Sequence, residues 1–320
     1  MNMISKIISA LLCCVVAINA SAQVKKDFKA VDEYVKKVGA LDSMTMGTIS
    51  EIVTKPFADR TEKVRAIFDW IAYNISFDCK TARSGNTDKN TTVDVLASRK
   101  AVGIGYATLF QDMCSSANIR CLTVDGFVKK NIEEIGDPET DINHSWAVVQ
   151  LGQSPEDWYY VDPTWGSGYT DADMKTFTRS YNDAYFFADK AIFNLQHYPD
   201  NEAWKLGEAP KNKKDFFALP IISSAAFDFG VKRISPSTGH LLVGVDKAEH
   251  FSFAVAVKEK IEKVTLLIGK KKPRQEEMQH SFSGGSVIFS YKFKEDGDYP
   301  VTILVNGKAL ATYHVEAESK

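Results

Sequence analysis

Lys100-Ala101-Val102-Gly103-Ile104-Gly105-Tyr106-Ala107 leads into a predicted helix, and the rest of the fold can be built outward from it. From Gly103 to Ser116, apolar side chains recur at helical spacing, which predicts a buried helix that begins at the glycine. The apolar positions are Tyr106, Leu109, Phe110 and Met113. A helix N-terminus carries a partial positive charge and free backbone N–H groups, so position 103 is suited to stabilise an anionic nucleophile.

Two strands after this helix carry a histidine and an aspartate. The predicted strands are residues 120–127, 146–151 and 158–162. His144 leads into the second strand, Asp162 ends the third, and the polar loop 153–157 joins them, so an antiparallel hairpin would place the two side chains together. A carboxylate on one imidazole nitrogen orients the ring and leaves the other nitrogen as a base. This is the layout of a Cys-His-Asp acyl-transfer site, but the residue at the helix start is glycine.

The chain resembles the transglutaminase-like superfamily, which has a papain-related core, over residues 61–170. The matching stretches are Val64 to Ile75, Gly105-Tyr106-Ala107, His144-x-Trp146 and Val161-Asp162-Pro163-Thr164-Trp165. Further stretches resemble the kyphoscoliosis-peptidase-type branch: Tyr185-Phe186-Phe187, His197-x-Pro199 and Trp204-x-Leu206. The resemblance implies an α+β fold in which a helix packs on an antiparallel sheet.

The resemblance also assigns the site residues. His144 and Asp162 fall on the catalytic His and Asp of the family, and its catalytic Cys falls on Gly103. Glycine has no group that could form an acyl intermediate. Gly103, Tyr106, Trp146 and Trp165 are expected to line a relic active-site cleft, which is the groove at the helix start faced by His144 and Asp162. His197 and Trp204 are expected to be packing residues.

No other cysteine is well placed to replace the missing thiol. Cys114 lies eleven residues along the same helix, about 16 Å from its start at 1.5 Å per residue. Cys121 begins the next strand, and Cys79 precedes a polar loop predicted for residues 80–90. Cys13 and Cys14 lie in the predicted signal peptide, so three cysteines remain in the mature chain. An odd number leaves at least one free thiol or an intermolecular bond, and Cys114–Cys121 is one possible disulfide.

Four segments are predicted along the 320 residues. Residues 1–22 have the pattern of a signal peptide, with Lys6, an apolar stretch and Ala20-Ser21-Ala22 before the cleavage site. The others are a helical segment (23–60), the transglutaminase-like domain with an aromatic wrapping extension (61–220) and a β-sandwich (221–320). We expect export to the periplasm or the cell exterior, with no integral membrane segment after cleavage.

The period-two pattern of the last hundred residues predicts an immunoglobulin-like β-sandwich. Phe251, Phe253 and Val255 alternate with small or polar residues, and so do Tyr299, Val301, Ile303 and Val305. Asn306-Gly307 predicts a tight hairpin between two of the strands.

Composition excludes several classes of function. The net charge is −2, so a nucleic-acid partner is not expected. No CxxC or HExxH spacing occurs, so we expect no metal site and no cofactor.

Three functions remain. The first is a pseudoenzyme that binds protein or peptide in the relic active-site cleft. The second is an active cysteine protease, amidase or acyltransferase acting on exported protein or cell-wall peptide, which requires an unforeseen nucleophile or a water-based route. The third is a structural module that binds through the sandwich. The oligomeric state is not determined by the sequence.

Overall fold

The computed structural model describes residues 26–138, 141–171, 173–256 and 260–319, so the predicted signal peptide lies outside the described residues. The helices are α1 (Lys29–Val38), α2 (Met46–Thr54), α3 (Arg60–Asn74), α4 (Cys79–Ser84), α5 (Thr92–Ser98), α6 (Gly103–Ser116), α7 (Pro163–Ser167), α8 (Lys190–Gln196), α9 (Lys213–Ala218) and α10 (Ala225–Phe229). Short 3₁₀ helices span Ile132–Glu134, Pro155–Asp157, Asp183–Tyr185 and Glu202–Trp204. Within these ranges, no helix combines the length and apolar character needed to span a membrane.

Eighteen strands are present in the described residues. Those that precede residue 220 are β1 (Ser76–Phe77), β2 (Lys100–Ala101), β3 (Arg120–Val128), β4 (His144–Gln150), β5 (Trp158–Val161), β6 (Gly168–Thr170), β7 (Phe177–Arg179) and β8 (His197–Pro199). The later ones are β9 (Ile221–Ile222), β10 (Val231–Ser235), β11 (His240–Gly244), β12 (Ala248–Val255), β13 (Val264–Ile268), β14 (Arg274–Met278), β15 (His280–Ser283), β16 (Ser286–Lys292), β17 (Gly297–Val305) and β18 (Lys308–Glu318).

Local capping and periodicity signals before α6 predict the helices that the structure shows, with one exception. The Asp59 side chain accepts a hydrogen bond from the Glu62 backbone N–H at 3.1 Å and thereby caps α3. The exception is the loop predicted for residues 80–90, because α4 occupies its first part. The Asp78 side chain caps this helix by accepting from the backbone N–H groups of Lys80 and Thr81, a local signal that polar composition alone conceals.

Helix α6 packs on an antiparallel sheet of order β5-β4-β3-β8, which confirms the predicted α+β core. The helix begins at Gly103 as predicted. Its side chains Leu109, Phe110 and Met113 are buried in one apolar cluster with residues of α3 and of the sheet. Strand β8 contributes only three residues, paired with β3 through Gly126↔Pro199 and Val128↔His197. This short pairing places His197 on the edge strand of the sheet, where its ring centroid lies 5.4 Å from that of His144.

Two sheets pack face to face in the C-terminal part. One has the order β10-β12-β16-β15, and the other runs β11-β18-β17-β13-β14 with β9 beside β18. Phe251 and Tyr313 meet between them with ring centroids 5.6 Å apart. Asn306 and Gly307 both have positive φ, 49° and 81°, as a type I′ turn requires, and they join β17 to β18 as predicted. The immunoglobulin-like assignment and the boundary at residue 221 stay predictions.

Helix α8 lies between the two packed regions. Ile192 belongs to the apolar cluster of the sandwich, whereas the next residue, Phe193, packs with Trp146 and Tyr160 near the sheet of the first region. Adjacent side chains of one short helix therefore contribute to both cores.

Candidate active site

Four elements bring the predicted site together. Gly103 begins α6, His144 begins β4, Asp162 follows β5 as the N-cap of α7, and His197 begins β8. The pairing of β4 with β5 places His144 and Asp162 side by side, as the predicted hairpin requires. His144 Nε2 lies 2.7 Å from Asp162 Oδ2. Because an ionised carboxylate only accepts hydrogen bonds, this imidazole nitrogen donates.

The other imidazole nitrogen of His144 faces the helix start. A Cβ atom placed on Gly103 would lie 2.9 Å from His144 Nδ1 and 3.1 Å from the Ser145 backbone nitrogen. Position 103 is therefore the position that this nitrogen would serve as a base. The same distances are shorter than ordinary contacts, so the imidazole occupies part of the space that a side chain would need. The loop before the helix is held by Asn90, whose Oδ1 accepts from the Val102 backbone N–H at 3.0 Å.

Asp162 is fully buried and accepts four hydrogen bonds. Oδ1 accepts from the backbone N–H groups of Thr164 and Trp165 at 2.9 and 3.0 Å, and Oδ2 accepts from His144 and from His197. Burial raises the pKa of this carboxyl, but the charge and hydrogen bond of His144, together with the His197 hydrogen bond, lower the pKa below its ordinary value. The carboxylate is thus held ionised and fixed in orientation.

His197 belongs to the site, although the sequence suggested only a packing role. Its Nε2 donates to Asp162 Oδ2 at 3.1 Å, and its ring also stacks on Phe193 with centroids 3.9 Å apart. Burial lowers the pKa of His197 to about 4, although the Asp162 hydrogen bond acts in the opposite direction. His197 lies 35 residues from Asp162 in a three-residue strand, so no local periodicity links the two.

The four residues expected to line a cleft differ in exposure. Trp146 is fully buried and crosses β3 at Gly126, where a Cβ would lie 2.6 Å from Trp146 Cη2. Tyr106 is also fully buried, and its hydroxyl donates to the Ile75 carbonyl at 2.9 Å. Neither side chain can contact a ligand from solvent in this conformation. Gly103 is buried as well, and Trp165, which is partly exposed, covers His144 and His197 at 5.6 and 4.5 Å between ring centroids.

The three cysteines of the described residues are free and buried. Burial and the adjacent Cys121 raise the pKa of Cys114, and burial raises the pKa of Cys79. Among the described residues, no cysteine forms a hydrogen bond with His144, whose side chain pairs with Asp162.

A cavity of about 480 Å³ opens beside α6. Its lining consists of residues from the loop and helix before α6 and from one side of α6 itself: Thr87, Asp88, Asn90, Thr91, Thr92, Val93, Ile104, Thr108 and Asp112. Ile104 directly follows Gly103, so this cavity adjoins the helix start. Val93 at its rim is 76% exposed.

Known proteins are similar to the part of the chain that holds this site. Residues 48–163 match the transglutaminase-like superfamily. Kyphoscoliosis peptidase of Homo sapiens is 31% identical over 214 residues, which cover 67% of this chain and 32% of that protein. Kyphoscoliosis peptidase of Mus musculus is 32% identical over a match that covers 59% of this chain and 28% of that protein. Hillarin of Drosophila melanogaster is 25% identical over a match that covers 64% of this chain and 26% of that protein. The chain spans less than a third of the length of these relatives.

Proposed function

This chain carries a transglutaminase-like domain of the kyphoscoliosis-peptidase type, and on that premise we propose that it is a pseudoenzyme that binds protein or peptide. The ligand binds without covalent chemistry at the relic active-site cleft and extends into the neighbouring cavity beside α6, whose lining includes Ile104 but not Gly103, His144 or Asp162. A signal peptide over residues 1–22 directs the protein out of the cytoplasm.

One observation carries the loss of catalysis. The imidazole nitrogen that would activate a nucleophile faces Gly103, which has no side chain. The sequence resemblance described above leads us to expect the catalytic Cys of the family at this position. Cys79 and Cys114 are poor substitutes, because burial raises the pKa of each thiol and so reduces the thiolate that would attack a substrate. Cys121 is also buried.

The cavity beside α6 supports a peptide or protein ligand. It combines an apolar rim, Ile104 and Val93, with hydroxyl and carboxylate groups, including those of Thr108 and Asp112. Seven of the nine lining residues are polar, so a ligand that offers hydrogen-bonding groups, such as a peptide, suits the cavity better than a purely apolar one. The volume of about 480 Å³ is sufficient for one or two side chains of a bound segment.

The catalytic part of the proposal is tested with the purified mature chain. Casein with a labelled primary amine reports acyl transfer, casein fragments report proteolysis, and a thiol-reactive probe reports an active cysteine. We expect no turnover above buffer and no rapid labelling. Turnover that His144→Ala abolishes would contradict the proposal and favour the active enzyme.

Export is tested separately by cell fractionation and N-terminal sequencing. The mature chain is expected outside the cytoplasm and to begin at Gln23. A cytoplasmic chain that retains its first 22 residues would contradict this part of the proposal.

A structural role is the second candidate, favoured by burial of the site. Asp162 and Trp146 are fully buried and His197 is 1% exposed, as in a core polar cluster. Two surface variants separate the candidates: Thr108→Arg fills the cavity beside α6, and Leu242→Arg alters the sandwich at a residue that is 76% exposed. Cleft binding predicts that capture of a partner is lost only with Thr108→Arg, whereas sandwich binding predicts loss only with Leu242→Arg.

A further inference from the structure

Three metal-ligand side chains converge at the candidate active site although they come from separate parts of the chain. One ligand atom each from His144, Asp162 and His197 lies within 4.8 Å of the other two. Nε2 of His144 and Nε2 of His197 lie 2.7 and 3.1 Å from the same carboxylate oxygen of Asp162. In the part of the chain that the structure describes, no other three His, Cys, Asp or Glu side chains converge in this way.

Imidazoles are the side-chain partners of the buried carboxylate in the described residues. Asp162 is fully buried, and its hydrogen-bond donors are two imidazoles and two backbone N–H groups. Among the described residues, no lysine or arginine forms an ion pair with it. A metal cation bound here would be stabilised by the buried negative charge of Asp162 as well as by coordination.

Aromatic rings surround the cluster. Phe193 stacks on His197 at 3.9 Å, Trp165 lies 4.5 Å from the same ring, and Trp146 lies 5.2 Å from it, all between ring centroids. Such an apolar shell restricts solvent access and holds ligand rings in place.

Glycine at position 103 also changes what is required of His144. If position 103 carried a thiol, His144 Nδ1 would have to accept the proton of that thiol. The single proton of the neutral ring would then have to lie on Nε2, which faces Asp162. Opposite a glycine no such proton acceptor is needed. The ring proton can then reside on Nδ1, which leaves the Nε2 lone pair available for coordination.

We propose that His144, Asp162 and His197 form a binding site for a divalent first-row transition metal, with Zn²⁺ as the best-fitting ion. Two imidazoles and one carboxylate suit Zn²⁺, whereas Mg²⁺ and Ca²⁺ prefer oxygen ligands throughout. Tetrahedral Zn²⁺ separates its ligand atoms by about 3.4 Å. The two distances from Asp162 Oδ2 to the imidazole nitrogens, 2.7 and 3.1 Å, need to widen by less than about 1 Å, and the two imidazole ligand atoms already lie within 4.8 Å of each other. On coordination each ring proton moves from Nε2 to Nδ1 and both imidazoles stay neutral. This site does not depend on peptide binding.

The test uses Co²⁺ as a spectroscopic probe and Zn²⁺ as its competitor. The full mature chain is refolded with EDTA, dialysed and titrated with Co²⁺ while the visible d–d absorption is recorded. We expect one equivalent to bind, Zn²⁺ to displace it, and either metal to raise the thermal midpoint. His144→Gln and His197→Gln, which retain hydrogen-bonding groups, should each weaken binding by about 100-fold or more. The double variant His240→Gln/His314→Gln changes a stacked histidine pair in the sandwich and should bind as the wild type does.

Three results would overturn the proposal: no stoichiometric binding by the wild-type chain, binding that survives both site variants, or binding lost in the His240→Gln/His314→Gln control. Circular dichroism establishes that each variant is folded. If a site variant does not fold, X-ray absorption of the Zn²⁺-loaded wild-type chain decides the ligand set. Two imidazoles with oxygen neighbours support the site, and a sulfur neighbour overturns it. Failure here leaves the assays for acyl transfer and partner capture unaffected, so the two proposals are separable.

Discussion

Position 103 shows how a missing side chain shapes the site. The imidazole of His144 lies closer to this backbone than it could lie to any residue with a Cβ, because that atom would be only 2.9 Å from Nδ1. The glycine therefore affects more than the identity of one side chain. It also allows the histidine to approach the helix start.

Replacement of Gly103 with alanine should destabilise the fold. The added methyl group must displace either the His144 ring, which Asp162 holds, or the Ser145 backbone, at a cost of about 1–3 kcal/mol in the free energy of unfolding. Gly47→Ala is the matched control, since α2 leaves its new methyl 4.0 Å from the nearest atom. That variant should be neutral or more stable by up to about 1 kcal/mol. Urea unfolding measures both, and equal midpoints would contradict the prediction.

Replacement of Gly103 with cysteine tests whether the site is still arranged for catalysis. The introduced thiol should have a pKa below about 8.5, because the helix N-terminus and the His144 imidazole stabilise the thiolate. Alkylation rates across pH, followed by mass spectrometry, give this pKa. In the double variant Gly103→Cys/His144→Ala the pKa should rise again. An unperturbed value in the single variant would show that the arrangement is only structural.

Lys129 makes stability depend on pH. It is buried, with Nζ donating to the Phe216 carbonyl at 2.7 Å, and burial lowers its pKa to about 7. In the unfolded chain the pKa is about 10.4, so between these values the unfolded state binds more protons. The free energy of unfolding should therefore rise from pH 7 to pH 10, with a slope of up to about 1.4 kcal/mol per pH unit. Lys129→Met should remove this rise in urea unfolding, and Lys130→Met, at the exposed next position, should keep it.

At the scale of elements, the short strand β8 completes the site. It pairs with β3 over three residues, and Trp146 on β4 crosses β3 at Gly126 to reach His197 on β8. The pattern 120–127 predicts β3 well, because it covers eight of the nine residues of the strand Arg120–Val128. The three residues of β8 are too few to show a strand periodicity. Neither β8 nor the place of His197 in the site therefore follows from local periodicity.

Gly126→Ala should disturb this crossing. Its methyl group would meet the Tyr198 carbonyl and the Trp146 ring, and because the carbonyl is backbone, the strands must move apart. We expect a loss of about 1–3 kcal/mol or more and altered fluorescence from Trp146. Gly47→Ala again serves as the control for a tolerated glycine replacement. Unchanged unfolding and emission for Gly126→Ala would show that the crossing has no energetic role.

At the scale of the whole molecule, α8 couples the two packed regions. All five tryptophans lie between residues 70 and 204, so their fluorescence reports the first region, whereas circular dichroism also reports the sandwich strands. Ile192→Ala creates a cavity in the sandwich cluster and should cost about 2–5 kcal/mol. Because Phe193 on the same helix packs near the site, the unfolding midpoints measured by fluorescence and by circular dichroism should shift together. Leu242→Ala, at an exposed sandwich position, should shift neither by more than about 0.5 kcal/mol. Separate transitions would show that the regions unfold independently.

The sequence by itself determined the elements and the pair at the centre of the site. Helix α6, the strands that present His144 and Asp162, and the Asn306-Gly307 turn all depend on short-range patterns, which a linear chain displays directly. Only the tertiary structure decided which distant residues join them. It buried Tyr106 and Trp146, which the sequence predicts to line the cleft, and brought His197 to Asp162. The physical reason is that burial and convergence of ligands depend on how sheets and helices pack, and residues 35 or more apart share no periodicity that would reveal it.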